Sequence, residues 1–75
     1  MREKLTGILQ EVKPGIDFEN CGLLIDDRIL DSYDVVFLVG RLNEEFGVDI
    51  TVEHLVPQNF NTVDAILALI AGLKG

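Results

Sequence analysis

Apolar residues recur at helical spacing in several parts of the chain, and stretches without a clear period separate them. The first such part predicts a helix from about Arg2 to Lys13. Its apolar positions follow the i, i+3, i+4, i+7 pattern of one helix face and are Leu5, Ile8, Leu9 and Val12. Pro14 and Gly15 come next and are expected to end this helix.

The strongest apolar pattern predicts a second helix from Ser32 to about Phe46, which Gly47 ends. Its expected buried stripe is Val35, Leu38, Val39, Leu42 and Phe46. Asp31 is a preferred N-cap residue type and Asp34 stands three residues after it, so both carboxylates lie at the positive end of the helix. The hydroxyl of Ser32 is therefore expected in the first turn, where solvent and an enzyme can reach it.

Two further helices are predicted in the last third of the chain. Thr51 can cap a short third helix over residues 52–56, which Pro57 is expected to terminate. Asn61 or Thr62 then caps a last helix. The core face of this last helix is Val63, Ile66, Leu67, Ile70 and Leu73.

Residues 14–30 show no period, and a connection this long is uncommon in a compact domain unless it has a function. The apolar residues of this segment should pack against the helices, while its acidic residues should remain exposed to solvent. These apolar residues are Ile16, Phe18, Leu23, Leu24, Ile25, Ile29 and Leu30. Such a crossing lets the first and second helices run roughly parallel.

Composition agrees with one small all-α domain over residues 1–75. Hydrophobic residues form 48% of the sequence but aromatic residues only 7%, so Leu, Ile and Val must build the core, which suits packed helices. The formal net charge of -7 argues against nucleic acid and anionic membranes. By itself it fits basic enzyme surfaces as partners and the solubility of a small protein equally well.

The sequence also predicts where the protein is located and whether it forms oligomers. No apolar run reaches the ~20 residues that a membrane helix needs, so no membrane insertion is expected. No signal peptide is visible, and Cys21 is the only cysteine, so it cannot form an intrachain disulfide. We expect a soluble, cytoplasmic monomer.

Four runs of residues follow one another in a specific order and spacing. They are Leu23-Leu24-Ile25-Asp26-Asp27, Ile29-Leu30-Asp31-Ser32, Leu42-Asn43-Glu44-Glu45-Phe46-Gly47-Val48-Asp49-Ile50 and Asn59-Phe60-Asn61-Thr62-Val63. Together they cover nearly the whole chain, and they resemble the carrier proteins of the acyl and peptidyl carrier superfamily.

The resemblance implies an all-α four-helix bundle of acyl carrier protein type, with a long first loop and a short third helix. It also implies that a phosphopantetheinyl transferase attaches a covalent 4'-phosphopantetheine arm from coenzyme A to Ser32. The arm would hold an acyl or aminoacyl group as a thioester, so the protein would be a carrier and not an enzyme. A helix N-terminus suits the phosphate of this arm, although the neighbouring carboxylates oppose it somewhat.

Several residues near Ser32 depart from the pattern of typical fatty-acid carriers. Tyr33 stands where leucine is typical, Phe37 where an acidic residue is typical, and Arg28 where glycine is common. The runs 29–32 and 46–49 are more similar to the D-alanyl carrier proteins and other free-standing carriers. The expected partners are therefore an adenylating acyl or aminoacyl ligase, or synthase enzymes, and fatty-acid or polyketide synthesis is the alternative. We expect a closed bundle that carries a small or polar cargo on a solvent-exposed arm.

The second helix is apolar over more of its circumference than one core face requires, so the first loop or a partner must cover the rest. We expect a docking surface for loading and transfer enzymes there. It comprises Asp31, Tyr33, Asp34, Val36, Phe37 and Gly40. Phe37 is expected to be its anchor.

Other chemistry is weakly supported by the sequence. A structural or interaction module, with Ser32 only in a helix cap, is the alternative from another functional class. His54 is the only histidine, and no arrangement of acid, base and nucleophile indicates an enzyme. Arg28 and Leu30 break the pattern of a calcium-binding loop, so no metal site is expected. Cys21 is expected to be an inert, buried thiol.

Overall fold

The computed structural model describes residues 2–18, 20 and 23–74, and within them it contains four α-helices and no strand. The elements are α1 Arg2–Val12, α2 Ser32–Phe46, a 3-10 turn Val52–His54, α3 Pro57–Phe60 and α4 Val63–Lys74. The predicted all-α architecture, with a long first loop and a short third helix, is confirmed. The prediction for Cys21 falls outside the described residues.

The core forms where α1 lies against both α2 and α4 while α3 lies against α4. The first loop also contributes to it, as predicted, through Phe18, Leu24 and Leu30. The buried side chains of the helices are Leu5, Ile8, Leu9, Leu38, Leu42, Phe46, Phe60, Val63, Ile66 and Ile70. Val35, Val39, Leu67 and Leu73 pack at its edge. α1, α2 and α4 therefore bury the faces that their sequence patterns predict.

A glycine with a left-handed backbone follows each of α1 and α2, three residues after Val12 and directly after Phe46. Gly15 has a φ of +86°, and the side chain of Gln10 accepts a hydrogen bond from its amide at 3.1 Å. Gly47 has a φ of +64°, and its amide donates to the carbonyl of Asn43 at 3.0 Å. Glycine adopts positive φ without the steric penalty of a Cβ, so the sequence predicts both ends well.

Leu23 was predicted to pack into the core, but this prediction is wrong. The residue is 41% exposed. Its amide donates to the carboxylate of Asp27 at 2.9 Å, within the turn that buries the neighbouring Leu24 completely. The turn therefore leaves only one of the two adjacent leucines in the core.

The prediction of one short helix over residues 52–56 that Pro57 terminates is wrong. The 3-10 turn ends at His54, and Pro57 is instead the first residue of α3. Val56 has an extended backbone with φ −118° and ψ 148°, because a following proline disfavours the helical region. Proline lacks an amide hydrogen that the first helical position does not need, so it begins a helix readily.

Thr62 caps α4, which confirms one of the two predicted candidates. Its hydroxyl oxygen accepts a hydrogen bond from the amide of Ala65 at 3.0 Å. No helix in the described part of the chain is both long and apolar enough to cross a membrane.

Arg41 connects α1 to α2 on the outside of the bundle. Its guanidinium lies 3.0 Å from the carboxylate of Glu11, 3.6 Å from that of Glu44 and 3.4 Å from that of Glu45. The hydrogen bond to Glu11 is the main cause that raises the pKa of Arg41 above its usual value. Its ion pair with Glu11 therefore links the exposed sides of the two helices.

Candidate functional site

The N-terminus of α2 is fixed by a reciprocal capping box. The carboxylate of Asp31 accepts a hydrogen bond from the amide of Asp34 at 2.9 Å, and the carboxylate of Asp34 accepts one from the amide of Asp31 at 3.2 Å. The Nζ of Lys13 lies 3.3 Å from the same Asp34 carboxylate. This confirms Asp31 as the N-cap and places Ser32 at the first helical position.

Ser32 is exposed and is the one serine in the sequence. Within the described residues its hydroxyl has no hydrogen-bond partner, and neither do the backbone amides of Ser32 and Tyr33. The first turn of α2 therefore presents a free hydroxyl beside free amides at the positive end of the helix dipole. A phosphate group bound to that hydroxyl fits this environment.

The outer face of α2 is strongly exposed. Tyr33 is 87% exposed, Val36 67% and Phe37 52%, and Gly40 is also exposed. A shallow cavity of about 240 Å³ lies beside this face and is lined by Glu11, Val12, Tyr33, Asp34 and Phe37. The first loop thus leaves these side chains open, as a docking surface requires, while Asp34 is also engaged in the capping box.

An apolar groove lies next to the N-terminal part of α2. It has a volume of about 180 Å³ and is lined by Ile25, Val35, Leu55, Val56, Pro57 and Phe60. Val35 is one helical turn after Ser32, so the groove opens close to the serine. Sequence reasoning missed this groove, because it assigned Leu55 and Val56 to the third helix and expected Ile25 only to hold the first loop against the bundle.

Asn61 is a second feature that sequence reasoning missed, since it was considered only as a helix cap. Its Oδ1 accepts hydrogen bonds from the amides of Ile25 at 3.1 Å and Asp26 at 3.0 Å. Its backbone carbonyl accepts one from the amide of Leu24 at 2.8 Å. These partners are about half the chain away in sequence, so no local pattern signals them.

The remaining polar candidates have structural roles in the described residues. Asp26 accepts a hydrogen bond from Asn61 Nδ2 at 3.2 Å, and Asp27 binds the amide of Leu23. His54 Nδ1 accepts a hydrogen bond from the amide of Thr51 at 3.0 Å and closes the 3-10 turn. No group of three or more His, Cys, Asp or Glu in the described part of the chain could hold a metal ion.

Comparison with known proteins shows the family of this chain. The chain matches no protein-family model. It is 35% identical over 69 residues to the probable acyl carrier protein PigG of Serratia sp. (strain ATCC 39006), and the match covers 92% of this chain and 77% of the relative. Such identity over most of both chains, together with an all-helical fold, shows common ancestry. The chain belongs to the acyl carrier protein family, whose members are phosphopantetheine-bearing carriers and not enzymes.

Proposed function

We propose that this protein carries an acyl or aminoacyl group as a thioester on a 4'-phosphopantetheine arm attached to Ser32. One observation carries the proposal: the hydroxyl of Ser32 is exposed at the first position of α2 and has no partner in the described residues. In the attachment step, the Ser32 oxygen forms a bond to phosphorus and the pyrophosphate bond of coenzyme A breaks. Adenosine 3',5'-bisphosphate leaves, and the serine proton passes to the transferase or to solvent.

The other aliphatic hydroxyls are less suitable because each of them is engaged. Thr6 Oγ1 donates to the carbonyl of Glu3 at 3.0 Å, and Thr62 Oγ1 caps α4. Thr51 Oγ1 lies 3.2 Å from His54 Nδ1. Ser32 is the one aliphatic hydroxyl that stands at the N-terminus of a long helix without such a contact, which supports its assignment.

Incubation with coenzyme A and a broad-specificity phosphopantetheinyl transferase tests this assignment. The intact mass of wild type should increase by one arm, whereas Ser32→Ala should stay unmodified. Tyr33→Phe is the matched control, since it removes the adjacent hydroxyl and should leave labelling intact. Unmodified wild type, or a labelled Ser32→Ala variant, would sink the assignment.

We propose that the outer face of α2 is the docking surface for the transferase and for an adenylating acyl or aminoacyl ligase. Support comes from the exposed side chains of Tyr33, Val36 and Phe37 beside Ser32. Exposed aromatic residues are common anchors of protein interfaces. Phe37→Glu should therefore weaken loading of the arm. The control is Val52→Glu, because Val52 is also an exposed apolar residue, 83% exposed, and lies on the 3-10 turn away from α2 in the sequence.

We propose a small cargo, such as an amino acid or a short acyl group. The apolar groove of about 180 Å³ is smaller than the ~300–1,000 Å³ of sites that enclose drug-sized ligands. Leu38, Leu42, Ile66 and Ile70 in the core of the bundle are completely buried. A long acyl chain that entered the core would have to displace these side chains. Fatty-acid or polyketide synthesis is the second candidate, favoured by the apolar lining of the groove.

Methyl chemical shifts distinguish the two candidates. Forms bearing alanyl and octanoyl thioesters can be compared with the form that carries only the arm. A small-cargo carrier should show little change at Val39, Leu42, Ile66 and Ile70 with either thioester. Broad shifts at these methyls with octanoyl would mean that the bundle opens for a chain and that the second candidate is right.

A further inference from the structure

Asn61 joins the two walls of the apolar groove. On one side, its amide donates to the carbonyl of Pro57 at 2.8 Å, which anchors it to α3. On the other side, its Oδ1 binds the amides of Ile25 and Asp26, and its Nδ2 donates to the Asp26 carboxylate at 3.2 Å. Pro57 and Ile25 both line the groove, so one residue is bonded directly to each wall.

Backbone hydrogen bonds also connect Asn61 to the loop segment that precedes Ser32. The carbonyl of Asn61 accepts from the amide of Leu24 at 2.8 Å, and the carbonyl of Leu24 accepts from the amide of Leu30 at 2.8 Å. Leu24 and Leu30 are both buried, and Leu30 is two residues before Ser32. Asn61 thus holds the backbone segment that precedes the serine as well as the groove wall.

We propose that Asn61 is a positioning residue that fixes the width of the apolar groove and so limits the size of the cargo group that can enter it. This inference rests on the proposed attachment of the arm to Ser32. Widening the groove would break the side-chain hydrogen bonds to Ile25 and Asp26 together. Their amides would then lack partners, and unpaired backbone groups are unfavourable wherever water does not replace the lost bond.

Amide hydrogen exchange on the unmodified protein tests whether Asn61 holds the groove wall in place. In Asn61→Ala, the amides of Ile25 and Asp26 should exchange roughly tenfold faster than in wild type. Asn43→Ala is the matched control, because Asn43 Oδ1 accepts from the amide of Ile50 at 2.9 Å at the other end of α2. The control should speed exchange at Ile50 only. Unchanged exchange at Ile25 and Asp26 in Asn61→Ala would overturn the proposal.

Methyl chemical shifts at the groove test whether Asn61 limits the size of the cargo group. In wild type, an octanoyl thioester should move the methyl signals of Val35 and Leu55 little more than an acetyl thioester does. In Asn61→Ala the octanoyl form should move them clearly more, while Asn43→Ala should behave as wild type. Equal responses in wild type and Asn61→Ala would show that Asn61 only stabilises the loop, and the proposal would be wrong.

A second variant keeps the test decisive if Asn61→Ala does not fold. Asn61→Asp retains an acceptor for the amides of Ile25 and Asp26 but loses the donor to the Asp26 carboxylate. It should therefore give an intermediate acceleration of exchange, and no acceleration would count against the proposal. If wild type is not modified at Ser32, the proposed function fails, whereas amide exchange, which uses the unmodified protein, still decides whether Asn61 holds the groove wall.

Discussion

Replacing Arg28 by glycine is expected to stabilise this protein. Among the described residues, Arg28 is the one non-glycine residue with a positive φ, at +59°. Its side chain is exposed and has no hydrogen-bond or ion-pair partner in the described part of the chain. The substitution would therefore relieve backbone strain without removing a side-chain hydrogen bond or ion pair.

The expected gain follows from two opposing effects. A residue with a Cβ is disfavoured in the left-handed region by roughly 1–2 kcal/mol, and glycine avoids this penalty. Glycine also gives the unfolded chain more freedom, which offsets about 0.4–1 kcal/mol of the gain. The midpoints of these two ranges give a net increase in the free energy of unfolding of about 0.8 kcal/mol. For a domain of this size, that corresponds to a rise in Tm of roughly 3–6 °C.

Urea and thermal unfolding, followed by circular dichroism, would measure this change. Arg28→Ala is the matched control, since it removes the same charge and side chain but keeps the Cβ. Both variants carry the same net charge, so their difference isolates the backbone effect. Arg28→Gly should be the more stable of the two. Equal stabilities, or a less stable glycine variant, would refute the assigned strain.

Further predictions concern the cap, the core and the docking surface. Asp31→Ala should lower the free energy of unfolding by ~1 kcal/mol in urea titrations because it removes the cap of α2, whereas Ser32→Ala should be nearly neutral; equal losses would contradict the capping geometry. Leu42→Ala should lower it by ~2–5 kcal/mol, because this side chain is completely buried, and a loss below ~1 kcal/mol would show a poorly packed site. Phe37→Glu should change stability by less than ~1 kcal/mol while slowing ligase-dependent loading, and a large drop in Tm would show that Phe37 belongs to the core.

The sequence predicts α2 and its cap best, because the signals there are local. Asp31, Asp34 and Gly47 act within a few residues of the helix ends that they define. The resemblance to carrier proteins also predicts the family correctly, and the relative from Serratia confirms it. The residues of the attachment site and of the docking surface stay predictions, which the experiments above test.

Features that depend on distant contacts could not be predicted. The amide of Ile25 and the side chain of Asn61 are 36 positions apart, so their hydrogen bond leaves no pattern in either segment. Leu23 and Leu24 look alike in the sequence, but the fold buries only Leu24. The error at Pro57 is different, because the preference of proline for the first helical position was a usable local signal.

Locating the arm within the chain tests the central claim most directly. After reaction with coenzyme A and a transferase, trypsin should release the peptide 29–41, which contains Ser32 and no threonine. Fragment-ion mass spectrometry should place one phosphopantetheine on Ser32 in that peptide. An arm on Tyr33, or on a peptide that contains Thr6, Thr51 or Thr62, would contradict the assignment of Ser32 as the attachment site.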